Sequence, residues 1–205
     1  MLDADGQPRL ADADAPADPM RVLACGLCGS DVEKFGVAPA GTVLGHEVVA
    51  LRADGSRVAL IHHLPGGRVL VVGQGFVGRL FAAVLRTRGD DVYAIDARAE
   101  RAGRAADGPV AAAVLCAPAA PLDAVAPGGT VLVFSPAAPV DLDLVYRNEL
   151  TLTGSRSATP RHMRAALDLL PTVDLPEPTV LPLDHFEEGL ALYRSGGALK
   201  VVFTP

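Results

Sequence analysis

Gly73-Gln74-Gly75-Phe76-Val77-Gly78 restricts the folds open to this chain more than any other stretch. It follows Arg68–Val72, an almost wholly apolar run of the kind that is buried on both faces of a parallel sheet. It leads into Gly78–Arg88, where Leu80, Phe81, Val84 and Leu85 recur at helical spacing. The first glycine permits a tight turn, the second lets a ligand's phosphates approach the backbone, and the third lets helix pack on strand. An acidic residue, Asp96, comes about twenty positions later, at the end of the next apolar run, Val92–Ile95. This order of strand, glycine turn, helix, strand and acid calls for an α/β fold with a parallel sheet. The pyrophosphate of a dinucleotide would rest on the helix N-terminus. Asp96 falls where the ribose hydroxyls of NAD are held, and its charge opposes the extra phosphate of NADP. Arg98 and Arg101 follow closely and keep NADP open as an alternative.

The pattern before this point is different. Met20–Ala24 reads as a strand, and Val43-Leu44 and Val48–Leu51 flank Gly45-His46-Glu47. Asp54-Gly55 is a turn signal, and Ser56–His62 is a further β-rich run. These make a small all-β lobe, closed by the breaker Pro65-Gly66-Gly67. Residues 1–19, rich in Ala, Asp and Pro, are expected to form a loosely ordered arm with an edge strand near Pro8-Arg9-Leu10. Beyond the glycine turn, Ala111–Leu115, Thr130–Phe134 (after the turn Pro127-Gly128-Gly129) and Leu150–Thr153 read as strands. Helices are expected over His162–Leu170 and Asp184–Arg194, the second capped by Asp184 with Glu187 three residues on. Leu199–Phe203 closes as a strand.

Composition excludes some functions. With 205 residues the chain can bury a core, and its net charge of −6 with no basic stripe argues against a nucleic-acid partner. No apolar run is long enough to span a bilayer, and the first residues lack the features of a signal peptide, so a cytoplasmic protein is expected. Three cysteines do not make a secreted disulfide framework.

Two short blocks carry further chemistry: Cys28-Gly29-Ser30-Asp31 and Gly45-His46-Glu47. Thiolate and imidazole are preferred donors for zinc, which makes Cys28 and His46 candidate ligands. Other readings stay open. Cys25 and Cys28 have the spacing of a thioredoxin-like redox pair, although no βαβ pattern surrounds them, and His46 could be a satisfied core histidine. His62 and His63 are adjacent, so in a strand they face opposite ways and one could serve as a substitute ligand. Cys116, ending a predicted strand, reads as a buried small hydrophobe.

Taken in order, these blocks resemble the zinc-dependent medium-chain dehydrogenase/reductase family, and the sorbitol and threonine dehydrogenase-like branch most. The resemblance covers nearly the whole chain. Val22–Phe35 and Gly41–Leu51 match a catalytic lobe, and Arg68–Arg101 matches the first half of a cofactor domain. Pro127–Phe134 and Tyr146–Ser155 match its later strands, and Leu183–Val202 matches the returning catalytic segment. The resemblance implies a reduced GroES-like β lobe over residues 1–66 and 156–205 and a pruned Rossmann domain, a doubly wound parallel sheet, over 67–155.

For the site, the resemblance implies one catalytic zinc on Cys28 and His46, with Glu47 as third ligand as in the polyol branch, or else His62 or His63. Ser30 would relay the alcohol proton and Asp31 would orient the His46 ring. Gly73, Gly75, Phe76, Val77, Gly78, Asp96 and Arg101 would hold NAD(H). The implied reaction is hydride transfer between a zinc-polarised alcohol or carbonyl and NAD(H). The departures are large. The four-cysteine structural zinc lobe, the rest of the catalytic barrel, and the third strand of the nucleotide domain with its helix are all missing from the pattern. A non-catalytic NAD(H)-binding protein, acting as a sensor or partner subunit, is the alternative these deletions motivate. A metal-free reductase is a third reading. A homodimer is expected to form through the last sheet strand near Leu150–Thr153.

Overall fold

The computed structural model describes residues 1–12, 21–27, 29–44, 47–51, 67–135, 138–156 and 160–205. The first elements are β1 (Arg21–Gly26), α1 (Gly29–Val32), β2 (Glu47–Leu51), β3 (Arg68–Val72), α2 (Phe76–Thr87), β4 (Asp91–Ile95) and β5 (Val110–Leu115). They are followed by β6 (Val125–Val133), α3 (Leu142–Arg147), β7 (Thr151–Gly154), α4 (Pro160–Leu169), β8 (Thr179–Pro182), α5 (Phe186–Ser195) and β9 (Val201–Thr204). The chain divides into two compact units, one of Met1–Val58 with Glu177–Pro205 and one of Ala59–Pro176.

The second unit is built on a parallel sheet of five strands in the order β4-β3-β5-β6-β7. Alternation along β3 sends successive side chains to opposite faces. Val69 and Val71 join Ala112, Val114 and Leu132 under Ala82 and Leu85 of α2. Leu70 and Val72 join Tyr93, Ala113, Leu115 and Val131 on the other face, where Leu144 and Val145 of α3 pack. Both faces are therefore covered, which is why these strands read as unbroken apolar runs. Numbered along the nucleotide-binding half-folds, the described residues give the common order 3-2-1-4-5-6 without its third strand. After β4 the chain returns with Gly103 donating to the Ala94 carbonyl at 3.1 Å and Ala94 donating to the Arg104 carbonyl at 3.0 Å.

The first unit holds a four-stranded sheet in the order β2-β1-β9-β8, so early and late segments of the chain share one ladder. β1 runs antiparallel to β2 and to β9, and β8 runs parallel to β9. Its core joins Leu27, Leu190, Ala198, Val201 and Phe203, with Phe35, Leu181 and Phe186 packed against them. A Cβ at Gly189 would lie 2.5 Å from the Phe203 ring, so glycine lets α5 sit directly on β9.

Three expectations need correction. Residues 1–12 are ordered rather than loose: Leu2 is 1% exposed and bridges Pro8, and Met1 and Arg9 exchange hydrogen bonds of 2.8 and 2.9 Å. Gly6 makes this turn possible, since it sits at φ +71° and a Cβ there would meet Gly36 Cα at 2.6 Å. The last helix starts at Phe186 rather than Asp184, because a tight turn over Leu183–His185 puts His185 at the cap position. His185 then pairs with Glu188 at 3.1 Å. Finally, α1, α3 and β8 were not expected. The helix α3 is only six residues long and depends on the Asp141 carboxylate, which accepts from the N–H groups of Asp143 and Leu144. Pro176, Pro178 and Pro182 hide the Thr179–Leu181 alternation of β8. Among the described residues no helix is long and apolar enough to cross a membrane.

Leu115 is fully buried between β3 and β6, whereas Val180 is 57% exposed. Leu115→Ala is expected to cost about 2–5 kcal/mol in urea unfolding, and Val180→Ala less than about 0.5 kcal/mol.

Candidate functional site

The turn between β3 and α2 explains each of its glycines separately. Gly73 takes φ +89°, and a Cβ there would fall 2.6 Å from Ala117 Cβ and 3.0 Å from the Cys116 carbonyl carbon. At Gly78 a Cβ would fall 1.7 Å from the Gly73 carbonyl oxygen, so the first turn of α2 passes directly over the end of β3. Gly75 is different: it has ordinary negative φ, stands at the N-cap of α2, and nothing lies within 4 Å of where its Cβ would be. That gap is a cradle over the helix N-terminus, where main-chain N–H groups and the dipole favour an anion. Phe76 and Val77 form the first turn and are half-buried.

Asp96 closes the other side. Its Oδ2 accepts the Gln74 N–H at 2.5 Å and its Oδ1 accepts the Arg98 N–H at 2.8 Å. A carboxylate has roughly four lone-pair positions, so about two stay available for a ribose diol. The Gly73 N–H donates to the Ile95 carbonyl at 2.8 Å, which ties the turn to the end of β4 just before Asp96. Arg101 ends a short turn over Ala99–Arg101, its N–H donating to the Arg98 carbonyl at 2.9 Å. The structure thus gathers Gly73, Gly75, Phe76, Val77, Gly78 and Asp96 at one turn, with Arg101 in the loop beyond. These residues fit a dinucleotide: an open cradle on a helix N-terminus, with an acid locked beside it.

Gln74 was not singled out by sequence reasoning. Its carboxamide is buried, and Nε2 donates to the carbonyls of Val71 at 3.3 Å and Gly73 at 3.2 Å. Arg79 Nε in turn donates to the Gln74 carbonyl at 3.2 Å. A polar side chain at the middle position of Gly-x-Gly, between two apolar runs, was the available signal. Cys116 packs beside the α2 face of the sheet, and desolvation pushes its thiol up to about 12, so it behaves as a small hydrophobe.

In the first unit, β1 and β2 are in register so that Gly26 lies opposite Glu47. Cys28, His46, His62 and His63 lie outside the described residues, as do the side chains of Ser30 in α1 and Glu47 in β2. Among the described residues no group of three or more His, Cys, Asp or Glu side chains is placed to hold a metal. Asp31 is fully buried, with its carboxylate 3.7 Å from Lys34 Nζ. Leu27 is gripped from both sides, its N–H donating to the Val201 carbonyl and its carbonyl accepting from Lys200 Nζ, each at 3.1 Å. Lys200, one of two lysines in the chain, is also buried, and its place just before the apolar run Val201–Phe203 was a signal the sequence carried.

Burial pushes the Cys25 thiol up and the Asp31 carboxylate pushes it further, while Lys200 opposes them. A raised thiol disfavours the thiolate that a thioredoxin-like pair would need at Cys25. A cavity of about 130 Å³ lies among Cys25, Leu27, Asp31, Leu44, Phe186 and Phe203. It is well below the volume of roughly 300 Å³ or more typical of a ligand pocket.

Comparison with solved structures shows that the fold is shared with alcohol dehydrogenases. A cinnamyl alcohol dehydrogenase from Sorghum bicolor superposes with a TM-score of 0.81 at 14% identity, over 99% of this chain and 95% of that one. For the alcohol dehydrogenase of Thermus sp. ATN1 the TM-score is 0.80 at 18% identity, over 100% of this chain and 98% of that one. For an alcohol dehydrogenase from E. coli complexed with NADH the TM-score is 0.78 at 16% identity, over 100% and 98%. No protein-family model matches the sequence, and neither does any curated protein.

The two glycines make a test of the turn. Gly78→Ala is expected to destabilise the fold by about 1–3 kcal/mol, because its methyl would overlap the Gly73 carbonyl. Gly75→Ala, with open space at that position, is expected to stay within about 0.5–1 kcal/mol of the unsubstituted protein in the same urea titration.

Proposed function

We propose that this chain is an alcohol dehydrogenase-like oxidoreductase that transfers a hydride between an alcohol or polyol, or its carbonyl partner, and NAD(H). The observation that carries this reading is the open cradle at Gly75 with Asp96 locked to the Gln74 N–H beside it. It occurs in a fold shared with alcohol dehydrogenases, one of them complexed with NADH. Asp96 favours NAD, since its carboxylate would meet the 2′-phosphate of NADP.

Zinc is the proposed metal, on Cys28 and His46 with Glu47 as third ligand, or His62 or His63 in its place. Thiolate, imidazole and carboxylate are a donor set that suits zinc. The pairing of Gly26 with Glu47 supports it, because Cys28 follows Gly26 by two residues and His46 directly precedes Glu47. When bound, zinc would supply a Lewis acid for the substrate oxygen, and NAD would supply the hydride acceptor. Ser30 would hold the substrate hydroxyl and pass on its proton. Asp31, buried one residue further on, would keep the His46 ring oriented. The β7 strand, at the edge of the five-stranded sheet, is the proposed pairing edge of a homodimer.

Elemental analysis of the purified protein, without added metal, is expected to find close to one zinc per chain. Cys28→Ala and His46→Ala are each expected to abolish turnover across an alcohol and aldehyde panel while NADH affinity stays within about twofold. Undiminished turnover in both variants would remove the zinc mechanism. NADH binding with neither zinc nor turnover would replace the enzyme reading with the non-catalytic one.

A further inference from the structure

Every polar group of Gln74 that the structure pairs is spent on the nucleotide turn itself. Gln74 is 5% exposed, and its Nε2 bridges the carbonyls of Val71, within β3, and Gly73, at the turn. Its main-chain N–H reaches Asp96 Oδ2 at 2.5 Å, and its carbonyl receives Arg79 Nε at 3.2 Å. The missing side chain of Gly78 keeps this arrangement open, since a Cβ there would lie 3.5 Å from Gln74 Nε2 and far too close to the Gly73 carbonyl. The Gly73–Gln74 peptide, which carries the Gln74 N–H, is thus held at its Gly73 carbonyl by the Gln74 carboxamide, and the next peptide is held at the Gln74 carbonyl by Arg79. Since the Gly73 carbonyl and the Gln74 N–H share one planar amide, the carboxamide bond to that carbonyl orients the N–H that holds one of the two oxygens of Asp96.

We infer that Gln74 is a positioning residue for cofactor selectivity: its carboxamide brace aims the Gln74 N–H at Asp96 and so holds the carboxylate where it meets the ribose hydroxyls of NAD(H). The inference rests on the proposed dinucleotide site. Without the brace, the turn peptide is free to rotate about its flanking bonds, and the Asp96 carboxylate loses an ordered, charge-assisted hydrogen bond. A carboxylate free to swing gives up part of its grip on the ribose diol and also part of its repulsion of a 2′-phosphate. NADH and NADPH are then affected in opposite senses relative to each other. A brace that served only the stability of the turn would weaken both cofactors alike.

The test is fluorescence titration of the full chain with NADH and with NADPH, before and after Gln74→Met, which keeps the side chain's length and removes its donors. Gln74→Leu is the second variant should the first fail to fold, with thermal melts recorded for both. NADH affinity is expected to fall about three- to tenfold, and the preference for NADH over NADPH to shrink by at least about threefold. Equal weakening of both cofactors, or no change in either, would overturn the role of Gln74. Absence of NADH binding by the unsubstituted chain would overturn the dinucleotide site, and the inference with it.

Discussion

The passage of the first turn of α2 over the carbonyl of Gly73 sets the geometry of the second unit. No side chain larger than hydrogen fits at Gly78, so helix and strand approach at backbone distance. That separation brings Ala82 and Leu85 down onto Val69 and Val71, which buries the central strands on one face of the sheet. The same turn carries the Gly73 N–H to the Ile95 carbonyl, and this fixes the end of β4 against the end of β3. Asp96 follows at once, where the next N–H of the turn meets it. A single close contact therefore sets the helix, the neighbouring strand and the acid together, and the open space at Gly75 is what remains between them.

Among the described residues no strand lies beyond β4 at the far edge of the sheet. One pair of hydrogen bonds between Ala94 and the Gly103-Arg104 backbone occupies part of the edge. Side chains gather around Tyr93 of this strand: the guanidinium groups of Arg68 and Arg104 lie 4.5 and 4.3 Å from the centre of its ring. The Tyr93 hydroxyl donates to Asp91 at 2.6 Å and accepts from Arg104 at 2.7 Å, and this bond from Tyr93 helps hold Asp91 below the usual carboxylate range. Charged side chains and a covering loop are recognised ways to discourage strand addition at an edge. At the opposite edge, β7 pairs only with β6 among the described residues. The two edges of the same sheet are thus finished differently.

Most of the second unit was legible because both faces of its sheet are covered. Burial on both sides turns β3, β4 and β5 into apolar runs whose ends the glycines and Asp96 mark; β3 has the expected span, and β4 and β5 each begin one residue earlier than expected. The β6 strand is longer than read, because Val125–Gly129 extends through a turn signal with the register shifting between Val110 and Ala112. Short elements resisted reading for a different reason. The helix α3 rests on one aspartate cap, and β8 is framed by prolines, so neither has enough periodicity to announce itself. The N-terminal arm looked featureless because its order comes from distant partners: Leu2 exchanges hydrogen bonds with Thr42 and Gly41, and Gly36 donates to the Gly6 carbonyl. In the nucleotide turn the glycines and Asp96 were readable from spacing. The Gln74 brace was not, because a carboxamide's partners depend on which carbonyls the folded turn turns inward.

The first unit depends on the chain's return. Strand β1 has β2 on one side, from nearby sequence, and β9 on the other, from more than 170 positions away. Beyond the end of β1 the ladder continues at Leu27, whose N–H goes to Val201 and whose carbonyl takes the Lys200 ammonium. A buried ammonium costs free energy unless hydrogen bonds and opposite charge offset it. Here the Leu27 carbonyl supplies a hydrogen bond, and the Cys25 thiol lies within the field of both Lys200 and the Asp31 carboxylate. That arrangement concentrates charge of both signs in a lobe otherwise built from Leu, Val and Phe. An all-apolar replacement would pack as well, but it would not grip the Leu27 carbonyl. The residue immediately before Cys28 is therefore held by hydrogen bonds to both its N–H and its carbonyl, at the end of β1 where Gly26 faces Glu47.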